Sequence, residues 1–336
     1  MRFLLDDGQR EFARSLDALL AAAGTPSVVR AWAAGDHAPG LVLWRRLADA
    51  GVFALAVPEA YGGVGPLPVE TAVACVELGR HGVPGPVVES VAAGLLLGRA
   101  GGPAAKEWLP RIASGTAVVS LVLEGHGPYA LDADVADAVF TVAGDELRLT
   151  AGAGGGLRFA ARKPTRSMDP ARRLFRPEAG GEVAADGPRV REAARAAGTW
   201  ATFATAAQAL GCGEELLRAT VAYVKQRTQF GVPVGSFQAV KHRLADTLLG
   251  LEFARPLLYG AAVELAEGAP GAGAAVAAAK VAAGEAGYAA ARTALQLHGA
   301  VGYTEELDLA WWLRRARPLR DAWGTPSACR ARVLAG

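Results

Sequence analysis

The sequence is short of cysteine, of unbalanced charge and of long unbroken apolar runs, and each shortage removes a class of protein. Its three cysteines, Cys75, Cys212 and Cys329, are odd in number and far apart. That excludes a disulfide framework and the paired spacing of a zinc site. Five histidines (His37, His81, His126, His242, His298) are scattered without ligand spacing. The 35 basic residues stand against 33 acidic ones, for a net charge of +2, so no electrostatic footprint for nucleic acid is present. No block of like charge suggests a tail or an anionic-membrane patch. The longest apolar stretches are rich in Ala and Gly and are broken by Lys280 and Glu285, so no membrane span is expected. Asp6 and Asp7 come too early for a secretory leader, and a reducing cytoplasm is the expected compartment. No internal repeat is visible.

What is present is bulk. The chain has 336 residues, of which 51% are hydrophobic, enough for a sizeable core and for two or three domains. Residues 6 to about 115 read as helices: Phe12, Leu16, Leu19 and Leu20 fall at helical spacing, as do Leu43, Trp44 and Leu47. Further helices are expected at Val69–Arg80, Val87–Ala100 and Trp108–Ala113, with a Gly-rich loop at Pro58–Pro68. Near Thr116 the pattern shifts to short β-type runs at Val118–Leu123, Ala138–Val142 and Glu146–Thr150, a turn region at Gly152–Gly156 and a strand at Leu157–Ala161. From Val190 the chain is helical again: to about Arg227, over Phe237–Glu267, over Ala274–Gly299 and over Leu307–Arg317, with a loop at Phe230–Ser236. The expected fold is mainly α with a small β domain, divided at 1–116, 117–189 and 190–336.

Two stretches carry the chemistry. In Arg227–Asp246 (RTQFGVPVGSFQAVKHRLAD) a basic residue ends a helix, a tight aromatic-glycine loop follows, and Phe237-Gln238 opens the next helix. Arg227 offers a planar fork suited to phosphate oxygens, and Gln229 and Gln238 can bond neutral polar atoms of a nucleotide. Taken alone, the stretch reads first as a helix C-terminus whose arginine complements the dipole. In Gln296–Arg317 (QLHGAVGYTEELDLAWWLRRAR) a helix ends in a Gly-rich loop that lets a ligand approach the backbone. Glu305 or Glu306 can serve as a general base if it faces a water-poor pocket. Taken alone, the same residues read first as an N-cap, Thr304, with acids in a first helical turn. Trp311 and Trp312 read as core or interface aromatics, His298 as a loop or interface residue, and Cys212 as a small core residue.

Together, Arg227-Thr228-Gln229-Phe230-Gly231 and Gln296-Leu297-His298-Gly299 resemble the C-terminal half of the acyl-CoA dehydrogenase flavoproteins. Leu47-Ala48-Asp49-Ala50-Gly51-Val52 and Val57-Pro58-Glu59-Ala60-Tyr61-Gly62-Gly63 resemble that family's N-terminal helices and loop. Ser167-Met168-Asp169 with Arg172 and Arg173 resembles the turn near the end of its β domain, and the resemblance covers nearly the whole chain. Glu77-Leu78-Gly79-Arg80 followed by Pro84-Gly85-Pro86 is similar to the branch common in actinobacterial steroid and branched-acyl catabolism. The resemblance implies an N-terminal helical domain, a shortened middle β barrel and a C-terminal four-helix bundle. It implies FAD bound across a subunit interface and oxidation of an acyl-CoA to the trans-2-enoyl-CoA. A carboxylate takes the α-proton and flavin N5 takes the β-hydride. On this resemblance Arg227 contacts the FAD pyrophosphate, Gln229, Phe230 and Gln238 belong to the same half-site, and Gln296, Leu297 and Gly299 touch the adenosine-pyrophosphate region of the flavin held by the neighbouring subunit.

The departures from the family pattern point one way. Leu123-Glu124-Gly125-His126-Gly127-Pro128-Tyr129-Ala130 stands where the family keeps a Thr-Glu-Pro-x-Ala-Gly-Ser-Asp type motif, and a Trp-Thr/Ser-Ser element is absent. Ala201 falls where one subset keeps its catalytic glutamate, and Thr199 and Thr202 fall on an Asp-x-x-Arg pair used for acyl-CoA. Glu306 is the remaining family-consistent base. Gly324-Thr325-Pro326-Ser327 resembles Gly-Thr-Ser-x-x-Gln, with Arg330 in place of the glutamine. The expectation is the shorter subunit of an α2β2 heterotetramer, completing FAD sites on a companion acyl-CoA dehydrogenase subunit, with an acyl-CoA substrate and electron-transfer flavoprotein as electron partner. Two alternatives stay open: a self-sufficient homo-oligomeric enzyme with Glu306 as base, and a non-catalytic scaffold.

Overall fold

The computed structural model describes residues 4–152, 163–177, 180–304 and 306–336. The expected strand at Leu157–Ala161, the turn region after Gly152, and Glu305 lie outside the described residues. Six helices come first: α1 (Asp7–Ala22), α2 (Thr25–Ala33), α3 (Ala38–Asp49), α4 (Pro68–Arg80), α5 (Val87–Ala100) and α6 (Gly102–Ala113). Strands β1 (Val119–Leu123), β2 (Ala130–Leu131), β3 (Ala138–Ala143), β4 (Glu146–Ala151), β5 (Leu174–Phe175) and β6 (Glu182–Asp186) follow. Then come α7 (Pro188–Gln226), the two-residue strands β7 (Thr228–Gln229) and β8 (Val232–Pro233), α8 (Gln238–Glu267), α9 (Ala272–His298), α10 (Ala310–Asp321) and α11 (Pro326–Leu334). The fold is thus mainly helical with a small sheet content. No helix among the described residues is long and apolar enough to cross a membrane.

The chain forms two compact units, one of Ser27–Thr71 and Pro84–Ala204, the other of Met1–Pro26, Ala72–Val83 and Thr205–Gly336. The first is organised around α5, whose residues from Val87 to Leu97 are all buried. A helix apolar on every side must be covered on every side. Ser90 on α5 donates its hydroxyl to the carbonyl of Val119 at 2.9 Å, which ties the helix to β1. The sheet runs β1-β3-β4-β6, with β1 parallel to β3 and the other pairs antiparallel. Trp108 of α6 meets Phe140 of β3 edge to face, with centroids 5.8 Å apart. Behind the β2–β5 pair, Arg173 donates to the carbonyl of Trp32 at 3.0 Å and pairs with Asp134. Asp132 accepts the N–H of Arg173 at 3.1 Å, and burial pushes its carboxyl up to about 7.

The second unit packs helices at backbone distance. A Cβ at Gly211 of α7 would overlap the carbonyl of Val76 on α4, and one at Gly79 of α4 would overlap the carbonyl of Gln208 on α7. One at Gly287 of α9 would sit 2.6 Å from the carbonyl of Ala209 on α7. Glycine at these sites lets two helix axes approach more closely than side chains allow. Lys280 of α9 is fully buried, and its ammonium donates to the carbonyls of Leu319 and Arg320 at 2.9 and 2.7 Å. These are last-turn carbonyls of α10, which have no partner inside their own helix. The charge is therefore buried with acceptors supplied.

Several elements depart from the sequence expectation. α2 and α11 were not anticipated; each has nine residues, and in α11 only Pro326 and Cys329 are buried, so no periodic apolar stripe marks it. β2 and β5 have two residues each, too few to show alternation. β6 is an exposed edge strand, again without an apolar pattern. The last part of Gln296–Arg317 is also different: α10 begins at Ala310, not Leu307, and Thr304 caps no helix but donates to the carbonyl of Val301 at 2.9 Å.

Gly211→Val places a branched side chain against the α4 backbone. The variant is expected to lose about 3 kcal/mol or more in chemical denaturation, or to fail to fold. A variant as stable as wild type would show slack between α7 and α4.

Candidate functional site

The structure gathers the sequence-derived residues on the end of the helical bundle where α7 stops, α8 starts and α9 stops. After Arg227 the chain reverses through β7 and β8, with Thr228 opposite Pro233 and Gln229 opposite Val232. The two turn residues, Phe230 and Gly231, both have positive φ, +52° and +79°. A two-residue hairpin with both central residues in this region matches the twist of its strands. Glycine adopts that region freely, but a bulky residue there is strained by about 1 kcal/mol or more. Phe230 is nevertheless 93% exposed, its ring edge-on to Phe237 at 6.4 Å. Gln229 and Gln238 are exposed as well. Phe237 precedes α8 without a side-chain cap, which leaves its first-turn N–H groups without a capping acceptor.

The second motif meets the first through one tyrosine. Tyr223, four residues before Arg227 on α7, receives a hydrogen bond from the Arg227 guanidinium at 2.7 Å. Its own hydroxyl donates to the carbonyl of His298 at 3.4 Å. Its ring stacks on the His298 imidazole at 4.1 Å with an interplanar angle of 22°. His298 is the last residue of α9, not a loop residue, and is buried within the chain: its Nδ1 lies 2.8 Å from the carbonyl of Ala294 and so carries the proton. Burial lowers its pKa. The chain then turns at Gly299, where φ is +63° and a Cβ would meet nothing. Here it is the backbone conformation, not lack of space, that calls for glycine. Gln296 and Gly299 face solvent and Leu297 is half-buried.

These groups suit an extended, phosphate-bearing ligand. Arg227 has five N–H donors, and its guanidinium donates to the Tyr223 hydroxyl. No carboxylate within the described residues neutralises it. Beyond Gln296 a groove of about 380 Å³ runs between α8 and α9, lined by Arg243, Asp246, Thr247, Arg292, Thr293 and Gln296. The residues present therefore fit the pyrophosphate and adenosine portion of a dinucleotide, with exposed guanidinium, amide and uncapped N–H donors along one edge.

The positions where the sequence departs from the family pattern are engaged within the chain. Glu124 accepts the N–H of Gly144 at 2.7 Å, so its carboxylate serves its own sheet. Ala201 is fully buried, and the hydroxyls of Thr199 and Thr202 bond back to the carbonyls of Arg195 and Gly198 at 3.1 and 2.8 Å. Thr325 caps α11 by accepting from the N–H of Ala328 at 3.3 Å, and Arg330 pairs with Glu285 at 3.4 Å. Glu306 is exposed, in the turn that follows a 3-10 segment at Gly299–Tyr303. Trp311 and Trp312 are buried, and so is Cys212.

Sequence reasoning missed a cavity of about 740 Å³ in this unit, lined by residues of α1, α4, α7, α8 and α10 including Asp17, Glu214 and Trp312, with His81 just after α4. Arg80 bridges Glu77 and Glu214 at 3.1 and 2.6 Å, and Arg255 pairs with Glu214 and Glu252, both at 3.0 Å. His81 lies 2.7 Å from Asp17. Burial outweighs the nearby Arg80 and pushes the Glu77 carboxyl up to about 7. The only trace in the sequence was the Glu77-Leu78-Gly79-Arg80 run, which says nothing of partners on α7 and α8.

The profile "Acyl-CoA dehydrogenase, N-terminal domain" matches residues 6–116, and "Acyl-CoA dehydrogenase, C-terminal domain" matches residues 192–335. Acyl-CoA dehydrogenase IpdE2 of Mycobacterium tuberculosis is 37% identical over 301 residues, which are 89% of this chain and 87% of that protein. A chain of the ChsE4–ChsE5 complex from Mycobacterium tuberculosis is 27% identical with a TM-score of 0.78, covering 100% of this chain and 98% of that one. A chain of a variant of the Tcur3481–Tcur3483 steroid ACAD shares the fold, with a TM-score of 0.82 at 24% identity over 98% of this chain and 97% of that one.

Two outcomes follow from the contacts. Tyr223→Phe removes both hydroxyl bonds and keeps the stack, and is expected to destabilise by about 1 kcal/mol. Tyr223→Leu, which also loses the stack, should destabilise by about 2 to 3 kcal/mol. Equal stability of all three proteins would refute the link between α7 and α9. For Glu77, the folded carboxyl holds its proton to about pH 7 against 4.5 for the free group. The native state therefore binds the extra proton within that window, and stability falls as pH rises through it. Relative to wild type, Glu77→Gln should gain about 1 to 2 kcal/mol between about pH 5 and pH 8. Parallel pH profiles would contradict this; Asp132 has the same sign and cancels in the difference.

Proposed function

The chain belongs to the acyl-CoA dehydrogenase family, and on that basis we propose that it is one subunit of an FAD-dependent, heteromeric acyl-CoA dehydrogenase. Its part is to complete a flavin site held mainly by a companion subunit in an α2β2 assembly. The observation that carries this reading is the Tyr223 bridge. It sets Arg227 and the Gln296–Gly299 turn on one exposed edge, while Glu124 of the flavin-side segment is engaged by its own sheet. The ChsE4–ChsE5 relative is a complex of two named chains, which supports a companion for this one.

When bound, FAD would supply the hydride acceptor for α,β-oxidation of a CoA thioester. This chain's residues bind and orient. Arg227 places a fixed, forked positive charge against the pyrophosphate. Gln229, Gln238 and Gln296 hydrogen-bond the nucleotide's polar atoms, and Gly299 with Leu297 allows close backbone approach. Phe230, exposed at the hairpin tip, covers the bound ligand and excludes water from it. Glu306, a solvent-facing carboxylate, acts as base only where a companion surface covers it and removes water; otherwise the companion holds the base. The substrate class is a bulky acyl-CoA of the steroid side-chain type, in line with the steroid ACAD that shares the fold. The electrons leave to an electron-transfer flavoprotein.

The test is Arg227→Gln in the complex purified with its genomic neighbour. Loss of a charge-assisted phosphate contact should weaken FAD retention by about tenfold to a hundredfold. Unchanged flavin content would make the chain a scaffold. Stoichiometric FAD and turnover by the chain alone would remove the need for a companion.

A further inference from the structure

A cluster of metal-ligating side chains in the second unit shares no residue with the flavin-contact edge. Glu77 of α4 and His81 just after it are four residues apart, and the N–H of His81 donates to the carbonyl of Glu77 at 3.0 Å. Residues at that helical spacing lie on one face. Leu16 and Leu20 bury one side of α1, and Asp17, next to Leu16, brings a carboxylate to within 2.7 Å of Nε2 of His81. The ligand atoms of Asp17, Glu77 and His81 all lie within 4.8 Å of one another. No spacing in the sequence marks the cluster, because Asp17 comes from another helix.

The surroundings are short of positive charge. Arg80, Arg218 and Arg255 are all paired with glutamates. Asp17 pairs with the His81 imidazole and, among the described residues, with no arginine. Five carboxylates thus stand around three arginines. Glu77 is buried, and its single bond from Arg80 occupies one of its two oxygens. A buried charge is paired or coordinates a metal. The cavity of about 740 Å³ opens onto Asp17 and His81, which gives an ion and its waters a way in.

We propose that Asp17, Glu77 and His81 bind one zinc ion, with a water from the cavity in the fourth position, and that this ion clamps α1 to α4. Imidazole nitrogen and carboxylate oxygen are both zinc donors, and three protein ligands with one water make a tetrahedral set. An imidazole in the set disfavours magnesium and calcium, which take oxygen ligands. At zinc–ligand distances of about 2.0–2.1 Å, tetrahedral ligand atoms stand about 3.3 Å apart. The contact between His81 and Asp17 opens by about half an ångström to admit the ion, within reach of a small rotation of the exposed Asp17 side chain. Arg80, itself held by Glu214 at 2.6 Å, orients the Glu77 carboxylate from behind, as outer partners of metal ligands do. α4 is the helix whose Gly79 seats against α7, so the clamp fixes the N-terminal helix to that same assembly.

The experiment takes the full chain, untagged and freed of metal with EDTA. Zn²⁺ is added in competition with a chromophoric chelator, and Co²⁺ is added as a probe whose visible absorption reports its coordination. One ion per chain is expected, with the absorption of four-coordinate Co²⁺ and a melting temperature several degrees higher in zinc. His81→Ala and Asp17→Asn should each weaken binding about a hundredfold or more, that is by about 2.7 kcal/mol, and remove the melting rise. Circular dichroism of both metal-free variants should match wild type. Glu77→Gln, more stable than wild type without metal, should gain little from zinc. His242→Ala, outside the cluster, should bind as wild type does. The proposal fails if wild type binds less than one ion per chain, if a folded His81→Ala or Asp17→Asn variant binds as wild type does, or if His242→Ala loses the ion. Binding without a rise in melting would overturn the clamp. Flavin enters none of these readings, so they decide the metal site whether or not the cofactor reading holds.

Discussion

The close seating of α7 against α4 and α9 is the constraint from which the rest follows. At Gly79, Gly211 and Gly287 there is no room for a Cβ, so backbones stand where side chains normally would. Packing of that kind has little freedom to slide, because interiors are dense and adjust only partly. It sets the relative position of the last turns of α7 and α9. Those two turns carry Arg227 and the Gln296–Gly299 run. The glycines thereby fix where the side chains of those two turns stand.

Tyr223 turns this scaffold position into a local geometry. It spans from the guanidinium of Arg227 to the carbonyl of His298 and stacks on the imidazole between them. Two motifs about seventy residues apart in sequence thereby act as one edge. Other polar side chains are held within the fold. Glu124, Thr199, Thr202 and Thr325 have each been taken into local hydrogen bonds. A polar side chain that bonds the chain's own backbone is satisfied without a ligand, and these four positions serve the fold in that way.

Much of the architecture was legible because it is periodic. The long helices α7, α8 and α9 begin and end within two residues of their expected limits at Val190, Phe237, Glu267 and Gly299, and Arg227 lies directly after the end of α7. The site residues announced themselves through a local pattern, a basic residue, an aromatic-glycine turn and a helix start. What stayed hidden was short or non-local. α11 and β5 are too brief for a period to show. The partners of Glu77 and Arg80 come from α1, α7 and α8, and no spacing along the chain encodes them. The burial of His298 at the end of α9 was hidden for the same reason, since it is covered by Tyr223 of another helix.

By itself, then, the sequence determined the family, the helical majority, and which residues stand at the ends of α7 and α9, because these rest on residue type and on spacing within single helices and turns. Tertiary structure alone decided three things. It joined Arg227 to the second motif through Tyr223, left Glu306 in solvent, and turned the apolar side of α8 at Phe253 outward. The physical reason is common to all three. Which face of a helix is covered, and by what, depends on neighbours brought from elsewhere in the chain, and an amphipathic pattern specifies only that some face must be covered.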